Sequence, residues 1–167
     1  MTRKTTVAEQ LEKYTTTIPE TSCVIWFGSE NQKGYGRILK DGKRQNVHRV
    51  TYEMTFGEIP EGMVIDHICH ERSCVNPNHM RVCTNSENAK NRKLNTNNKS
   101  GFKGVHRNKY TSKRGLSPRW IALIQSDGKA ISLGSFHTKE EAHEAYRRAA
   151  AVYHGEFANF GEASCHG

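Results

Sequence analysis

The chain is poor in apolar residues. Only 35% of its 167 residues are hydrophobic and 8% are aromatic. One large domain or two small ones with modest cores is the expectation, and a large enzyme with a deep apolar pocket is excluded. No run approaches the roughly 18 to 20 apolar residues a bilayer span needs. No apolar stretch follows the basic start Met1-Thr2-Arg3-Lys4-Thr5-Thr6, so this start is not read as a secretory signal. Five cysteines, Cys23, Cys69, Cys74, Cys83 and Cys165, are an odd number with no export signal. That argues against a disulfide framework and for metal binding.

Acid is missing where base is dense. From Asn88 through Ser126 there is no Asp or Glu. The same stretch holds Lys90, Arg92, Lys93, Lys99, Lys103, Arg107, Lys109, Lys113, Arg114 and Arg119. Over the whole chain 25 Lys and Arg stand against 17 Asp and Glu, a net charge of +8. Such a chain expects a polyanion as partner, most often nucleic acid. At the centre of the basic stretch, residues 94–99 are polar and aperiodic, and read as a linker that can follow a phosphate backbone.

The half before the linker reads as two short strands, Cys23–Phe27 and Tyr35–Leu39, with a hairpin turn at Asp41-Gly42. A helix is expected over Val47–Phe56, stopped by Gly57, and another over Asn85–Lys93. Val64–His67 turns abruptly from apolar to polar. A helix around Val7–Tyr14, ended by Pro19, opens the chain; residues 1–19 suggest no function. In the half after the linker, strands are expected at Val105–Lys109, Arg119–Gln125 and Ala130–Leu133, with a turn at Ser126–Lys129. Thr138 and Glu141 form a capping box. The helix behind it carries Ala142, Ala145, Tyr146, Ala149, Ala150 and Tyr153 on one face, and Gly155 stops it.

The chemistry concentrates between Asp66 and Asn88. Four residues separate Cys69 from Cys74, and four separate Cys74 from His79. Thiolates and imidazole are the ligands zinc favours, and a closed set of four stabilises a small domain directly. The residues leave Cys23 and Cys83 as rivals for the fourth place. Zinc does not account for Asp66, His67 and Asn88. Carboxylate and amide oxygens suit Mg²⁺ and related ions. A neutral histidine beside such an ion can take a proton from water, and the ion stabilises an oxygen leaving phosphorus.

The run Val64-Ile65-Asp66-His67-Ile68-Cys69, then Cys74-Val75-Asn76-Pro77-Asn78-His79-Met80 and Asn88 resembles the HNH (ββα-metal) nucleases. It is most similar to the zinc-bearing His-Cys box homing endonucleases and their phage HNH relatives, over roughly residues 22–93. The resemblance implies His67 as general base, Asp66 and Asn88 as ligands of the catalytic divalent ion, and Cys23, Cys69, Cys74 and His79 as ligands of a structural zinc. Asn76 would be structural and Arg49 a phosphate contact. The His-Cys box branch has a different residue in the place of Asp66.

A second resemblance covers nearly all of residues 100–160. Ser100-Gly101-Phe102-Lys103-Gly104-Val105, Trp120-Ile121-Ala122-Leu123-Ile124, Leu133-Gly134-Ser135-Phe136 and Asn159-Phe160 resemble the Apetala/ERF-type DNA-binding domain. It implies Trp120, Ala122 and Ile124 as core, and Arg119, Ile121, Leu123 and Gln125 on the face toward DNA. Lys103, Gly104, His106 and Ser132 fall at base or phosphate contacts of that family. Lys90, Arg92, Lys93, Arg107 and Lys109 complete the basic DNA-binding set. The plant domains carry more arginines and an extra tryptophan on these strands, so their target sequence does not carry over.

The expected architecture is α+β: a zinc-stapled ββα-metal nuclease domain at 20–93, the linker 94–99, and a three-stranded antiparallel sheet with one helix at 100–161, followed by a tail at 162–167. The expected activity is a homing or phage-type HNH endonuclease hydrolysing double-stranded DNA with Mg²⁺ or another divalent ion, alongside structural Zn²⁺. No membrane partner is expected, the oligomeric state is monomer or homodimer, and the location is intracellular, in the cytoplasm of a phage or bacterial host or a eukaryotic nucleus. The alternative is a non-enzymatic, zinc-stabilised DNA-binding transcription regulator. Such a protein needs the cysteines but not Asp66, His67 and Asn88.

Overall fold

The computed structural model describes residues 5–109 and 119–161. The first four residues, Lys113, Arg114 and the tail at 162–167 with Cys165 lie outside the described residues. The chain forms two compact units, one ending at Asn85 and the other running from Ser86. That division falls ahead of the boundary at Lys93 that the sequence suggests.

In the first unit, helix α1 (Val7–Tyr14) starts on a reciprocal cap. The Glu9 amide donates to Thr6 Oγ1 at 3.2 Å and the Thr6 amide to Glu9 Oε2 at 2.8 Å. Val7, Leu11 and Tyr14 fall on one stripe and pack against buried Trp26, Ile38, Val47, Val50 and Val75. The helix ends at Tyr14, ahead of Pro19. The β-branched run that follows is strand β1 (Thr15–Ile18), paired antiparallel with β2 (Cys23–Trp26). Pro19 therefore lies in the turn of a hairpin and terminates no helix.

Strands β3 (Arg37–Lys40) and β4 (Lys43–Asn46) form a second hairpin. Its two turn residues, Asp41 and Gly42, have φ of 51° and 75°, the left-handed pair that matches strand twist. Helix α2 (Val47–Phe56) buries Val47, His48, Val50 and Thr51 and stops at Gly57, whose φ is 94°. Strands β5 (Val64–His67) and β6 (Met80–Cys83) pair antiparallel, with Asp66 opposite Arg81 and His67 opposite Met80. Ile59, Ile65 and Met80 form a small core of their own.

The second unit contains helix α3 (Asn85–Lys90) from its second residue onward, shorter than the expected run to Lys93. Strands β7 (Val105–Arg107), β8 (Trp120–Ser126) and β9 (Lys129–Phe136) make an antiparallel sheet in that order. β9 outruns the expected Ala130–Leu133. The register slips between Ala122 and Leu123, and the bulge seats Leu133 against the core. Helix α4 (Lys139–His154) opens with the Thr138–Glu141 capping box. It buries Ala142, Tyr146, Ala150 and His154 over the sheet. The buried stripe has a strict four-residue step, so Tyr153 points away and is 44% exposed.

Candidate active site and metal centre

Backbone pairing assembles the sulfur residues. The β2 ladder continues onto the loop after Cys69: the Trp26 amide donates to the Ser73 carbonyl at 2.8 Å, and the Val75 amide to the Val24 carbonyl at 2.7 Å. Ile25 bridges Cys74. This brings Cys23, first residue of β2, beside Cys74. His70, at φ 59°, turns the loop back. Asn76 then receives the Asn78 amide on its side-chain oxygen at 3.1 Å and donates its own amide to the Ser22 carbonyl at 2.8 Å. With Pro77 it starts the 3-10 turn Pro77–His79. The Ile68 amide donates to the His79 carbonyl at 2.9 Å, which fixes the far side of the loop.

The result is a group of four ligand atoms, from Cys23, Cys69, Cys74 and His79, all within 4.8 Å of one another. His79 Nδ1 lies 3.5 Å from Cys23 Sγ and 3.6 Å from Cys74 Sγ. Tetrahedral zinc with Zn–S bonds of ~2.3 Å has ligand–ligand edges of ~3.8 Å. The donor set and its spacing therefore fit such an ion. A hydrogen bond from Cys69 draws the Cys74 thiol down, while Cys69 is pushed up chiefly by that bond and Cys23 by burial. A bound cation would favour the thiolate form of such ligands. Cys83 is buried on β6 and is not part of the group.

Asp66 and His67 sit at the end of β5, both buried, with 5% and 7% of their surface exposed. Arg81 crosses from β6 to Asp66 Oδ2, with Nε at 3.0 Å and Nη2 at 2.9 Å. His67 Nε2 lies 3.1 Å from the Cys74 carbonyl. A carbonyl only accepts, so Nε2 carries the proton and the basic lone pair is on Nδ1. Burial pushes the His67 imidazole below the usual histidine range, opposed by the Cys74 carbonyl and the Asp66 carboxylate. His48 stands edge-on to His67 with ring centroids 5.0 Å apart, and Tyr35 lies 5.2 Å from His48 and 6.2 Å from His67. His48 is pushed down to about 3 by burial, with His67 and Arg49 beside it. Both imidazoles are thus neutral at pH 7.

Sequence reasoning missed Arg81, His48 and Tyr35. A strand prediction for β6 puts an arginine opposite Asp66; nothing local marks Tyr35. Arg49 is half-buried in the first turn of α2. An apolar cavity of about 220 Å³ between α1, α2 and the 3-10 turn is lined by Leu11, Val24, Met54 and Val75 among others. It includes neither Asp66 nor His67.

In the second unit, Asn88 is half-buried on α3, and Lys90 is half-buried at its end. Arg92, Lys93, His106, Arg107, Lys109, Gln125 and Ser132 are exposed, and Arg119 is half-buried. Ala122, Ile124 and Val105 are buried under α4, and Trp120 packs on the same side. Strand alternation then puts His106, Ile121, Leu123 and Gln125 on the opposite face, with Ser132 across from Leu123. Arg107 has the parity of Val105 and lies opposite Trp120, so it stands on the helix side. Gly104 has φ 72°, and a Cβ there would meet the Tyr146 ring at 2.0 Å and the Leu123 carbonyl at 2.8 Å. Lys103 donates its ammonium to the Lys90 carbonyl at 2.9 Å and the Arg92 carbonyl at 2.7 Å.

Residues 45–90 match the family model of HNH endonucleases, so the chain carries an HNH endonuclease family domain there. The chain is similar to protein 7.7 of Escherichia phage T7, 42% identical over 40% of this chain and 52% of that protein. It is similar to protein 2.8 of the same phage, 32% identical over 43% of this chain and 50% of that protein. The chain thus spans about half the length of these two relatives. A third relative, the uncharacterized HNH endonuclease L560 of Acanthamoeba polyphaga mimivirus, is 28% identical over 84% of this chain and 68% of its own length. No solved structure matches. Among the described residues no helix is long and apolar enough to cross a membrane.

Proposed function

We propose that the chain is a phage-type HNH endonuclease that hydrolyses phosphodiester bonds in double-stranded DNA, with His67 as general base. The observation that carries this reading is the hydrogen bond from His67 Nε2 to the Cys74 carbonyl, 3.1 Å long, within the segment matched to HNH endonucleases. It orients a neutral imidazole with Nδ1 as its basic nitrogen, next in sequence to a buried carboxylate.

In this reading Nδ1 takes a proton from a water molecule. The water oxygen forms the new bond to phosphorus, and the bond from phosphorus to the 3′ oxygen breaks. The leaving oxygen takes its proton from solvent, giving 5′ phosphate and 3′ hydroxyl ends. Asp66 and Asn88 would hold Mg²⁺ or another hard divalent ion, for which carboxylate and amide oxygens are suitable donors. A carboxylate has lone pairs on both oxygens, so its pairing with Arg81 through Oδ2 is compatible with that role. When bound, such an ion stabilises negative charge at the scissile phosphate and on the departing oxygen. Cys23, Cys69, Cys74 and His79 would hold a structural zinc. Arg81 keeps Asp66 oriented.

The second unit supplies DNA affinity in this reading. The three-stranded sheet offers His106, Arg119, Gln125 and Ser132 on its open face, in the manner of an Apetala/ERF-type domain. Arg49, Lys90, Arg92, Lys93, Arg107 and Lys109 offer positive charge to the phosphate backbone, which makes binding strongly salt-dependent.

The test is cleavage of supercoiled plasmid by wild type and His67→Ala, each with Mg²⁺ and with EDTA. Wild type should yield nicked circles with Mg²⁺ alone, and His67→Ala should be slower by at least about 100-fold. Full activity in His67→Ala, or 3′ phosphate ends, overturns the assignment. Salt-sensitive DNA binding with no cleavage by wild type favours a non-enzymatic DNA-binding regulator.

A further inference from the structure

Helix α3 cannot stand alone. It has six residues and buries none of them, whereas isolated helices shorter than about 12 residues are marginal in water. Its last carbonyls also lack partners within the helix. Three successive carbonyls at and just past its end are nonetheless held. Lys103 Nζ donates to the carbonyls of Lys90 and Arg92, at 2.9 and 2.7 Å. Between them, the Asn91 carbonyl accepts from Asn159 Nδ2 at 3.0 Å.

Both donors are themselves fixed. Asn159 is 5% exposed and its side-chain oxygen accepts the Gly161 amide at 2.7 Å. Gly161 closes on Lys103, where a Cβ would come within 3.3 Å of the lysine Cβ. Asn159 follows the turn Gly155–Phe157 that ends α4. Lys103 precedes β7. A cation at a helix C-terminus is the favoured sign for the helix dipole. Burial and two carbonyl acceptors draw on the ammonium here, and desolvation lowers its pKa to about 8.

We infer that Lys103 and Asn159 are positioning residues that clamp the C-terminal end of α3, so that the C-terminal sheet-and-helix module orders the helix carrying Asn88. The importance of Asn88 rests on the nuclease reading above; the clamp itself does not. The consequence is specific. The module is not only a DNA-binding attachment, because the helix proposed to hold the catalytic ion is built onto it. Lys103 then serves the helix end in place of the phosphate contact that the sequence suggests for it.

The experiment uses the full chain as wild type, Lys103→Met, Lys103→Arg and Asn159→Asp. Asn159→Asp keeps the acceptor for Gly161 and removes the donor to Asn91. Amide hydrogen exchange is followed by mass spectrometry over residues 85–92, with α4 as internal reference. Lys103→Met and Asn159→Asp should each speed exchange in this segment by about 10-fold while α4 stays within about twofold of wild type. Lys103→Arg, which retains donors, should restore protection. In plasmid nicking, both loosened variants should need several-fold more Mg²⁺ for half-maximal rate, with DNA affinity in EDTA close to wild type.

Unchanged exchange over 85–92 in both Lys103→Met and Asn159→Asp overturns the clamp. So does a salt slope of DNA binding reduced by about one in Lys103→Met with unaltered exchange, the signature of a lost phosphate contact. Should Lys103→Met lose α4 protection as well, Asn159→Asp decides alone. If wild type cuts no DNA, the nuclease reading fails while the exchange result still decides the clamp.

Discussion

Arg81 meets Asp66 across the β5–β6 ladder, with two of its nitrogens within 3.0 Å of the same carboxylate oxygen. The two residues are direct cross-strand partners, and the carboxylate is almost fully buried. Removing one member of such a pair strands the other's charge. Arg81→Leu should therefore destabilise the protein by about 2–4 kcal/mol in urea unfolding. Arg81→Leu paired with Asp66→Asn should recover part of that loss. A single-variant change below about 0.5 kcal/mol means that groups other than Arg81 satisfy Asp66.

Metal content separates the cysteines. Wild type purified without chelator should hold zinc at a ratio near unity by elemental analysis. Cys83→Ser should keep it, whereas Cys23→Ser and Cys74→Ser should lose it and melt at lower temperature, because metal binding to a set that only the folded chain assembles contributes directly to folding. Retained zinc in Cys23→Ser with loss in Cys83→Ser contradicts the four-ligand group.

His48 makes stability depend on pH. The groups facing it are Tyr35, His67 and Arg49. Its folded-state pKa is lowered to about 3, so between that value and its ordinary one the unfolded chain binds the extra proton. The stabilisation is present above pH 6.5 and is lost as pH falls toward 3. From pH 6.5 to 5 the loss from this group is about 1.6 kcal/mol. Urea unfolding at the two pH values should show a smaller difference in His48→Phe than in wild type; an equal difference removes His48 as the cause.

Glycine positions tell packing from recognition. Gly104→Ala places a methyl inside the Tyr146 ring contact at φ 72°, and should cost about 3 kcal/mol or more. Gly128→Ala, at φ 76° with nothing within 4 Å, should cost only about 1 kcal/mol. Normal stability of Gly104→Ala with weakened DNA binding would return Gly104 to the contact surface.

Much of this was legible locally. Helix α2 runs over the residues its spacing and Gly57 predict. The Thr138 capping box and the turns at Asp41-Gly42 and Asp127-Gly128 are where their residue types put them. Strand β1 was not legible, because Pro19 reads as a helix stop as readily as a hairpin turn. Strand β6 was not, because four residues holding one arginine carry too little periodicity. Arg81 went unnoticed for the same reason, since its partner lies across a ladder.

What the residues determined by themselves was chemistry and local conformation: the ligand types, the caps, the turns, the base-rich stretch without acid. Those depend on neighbours within a few positions, where sterics and hydrogen bonding act without a fold. Spacing left Cys23 and Cys83 open and the resemblance pointed to Cys23; the tertiary structure brings it to Cys74 through the pairing of β2 with the loop at Ser73–Val75. It alone decided that Lys103 turns to the end of α3. Both outcomes depend on strand register and close packing between distant segments. A buried donor goes to whichever acceptor the fold brings within reach, and sequence spacing does not encode that distance.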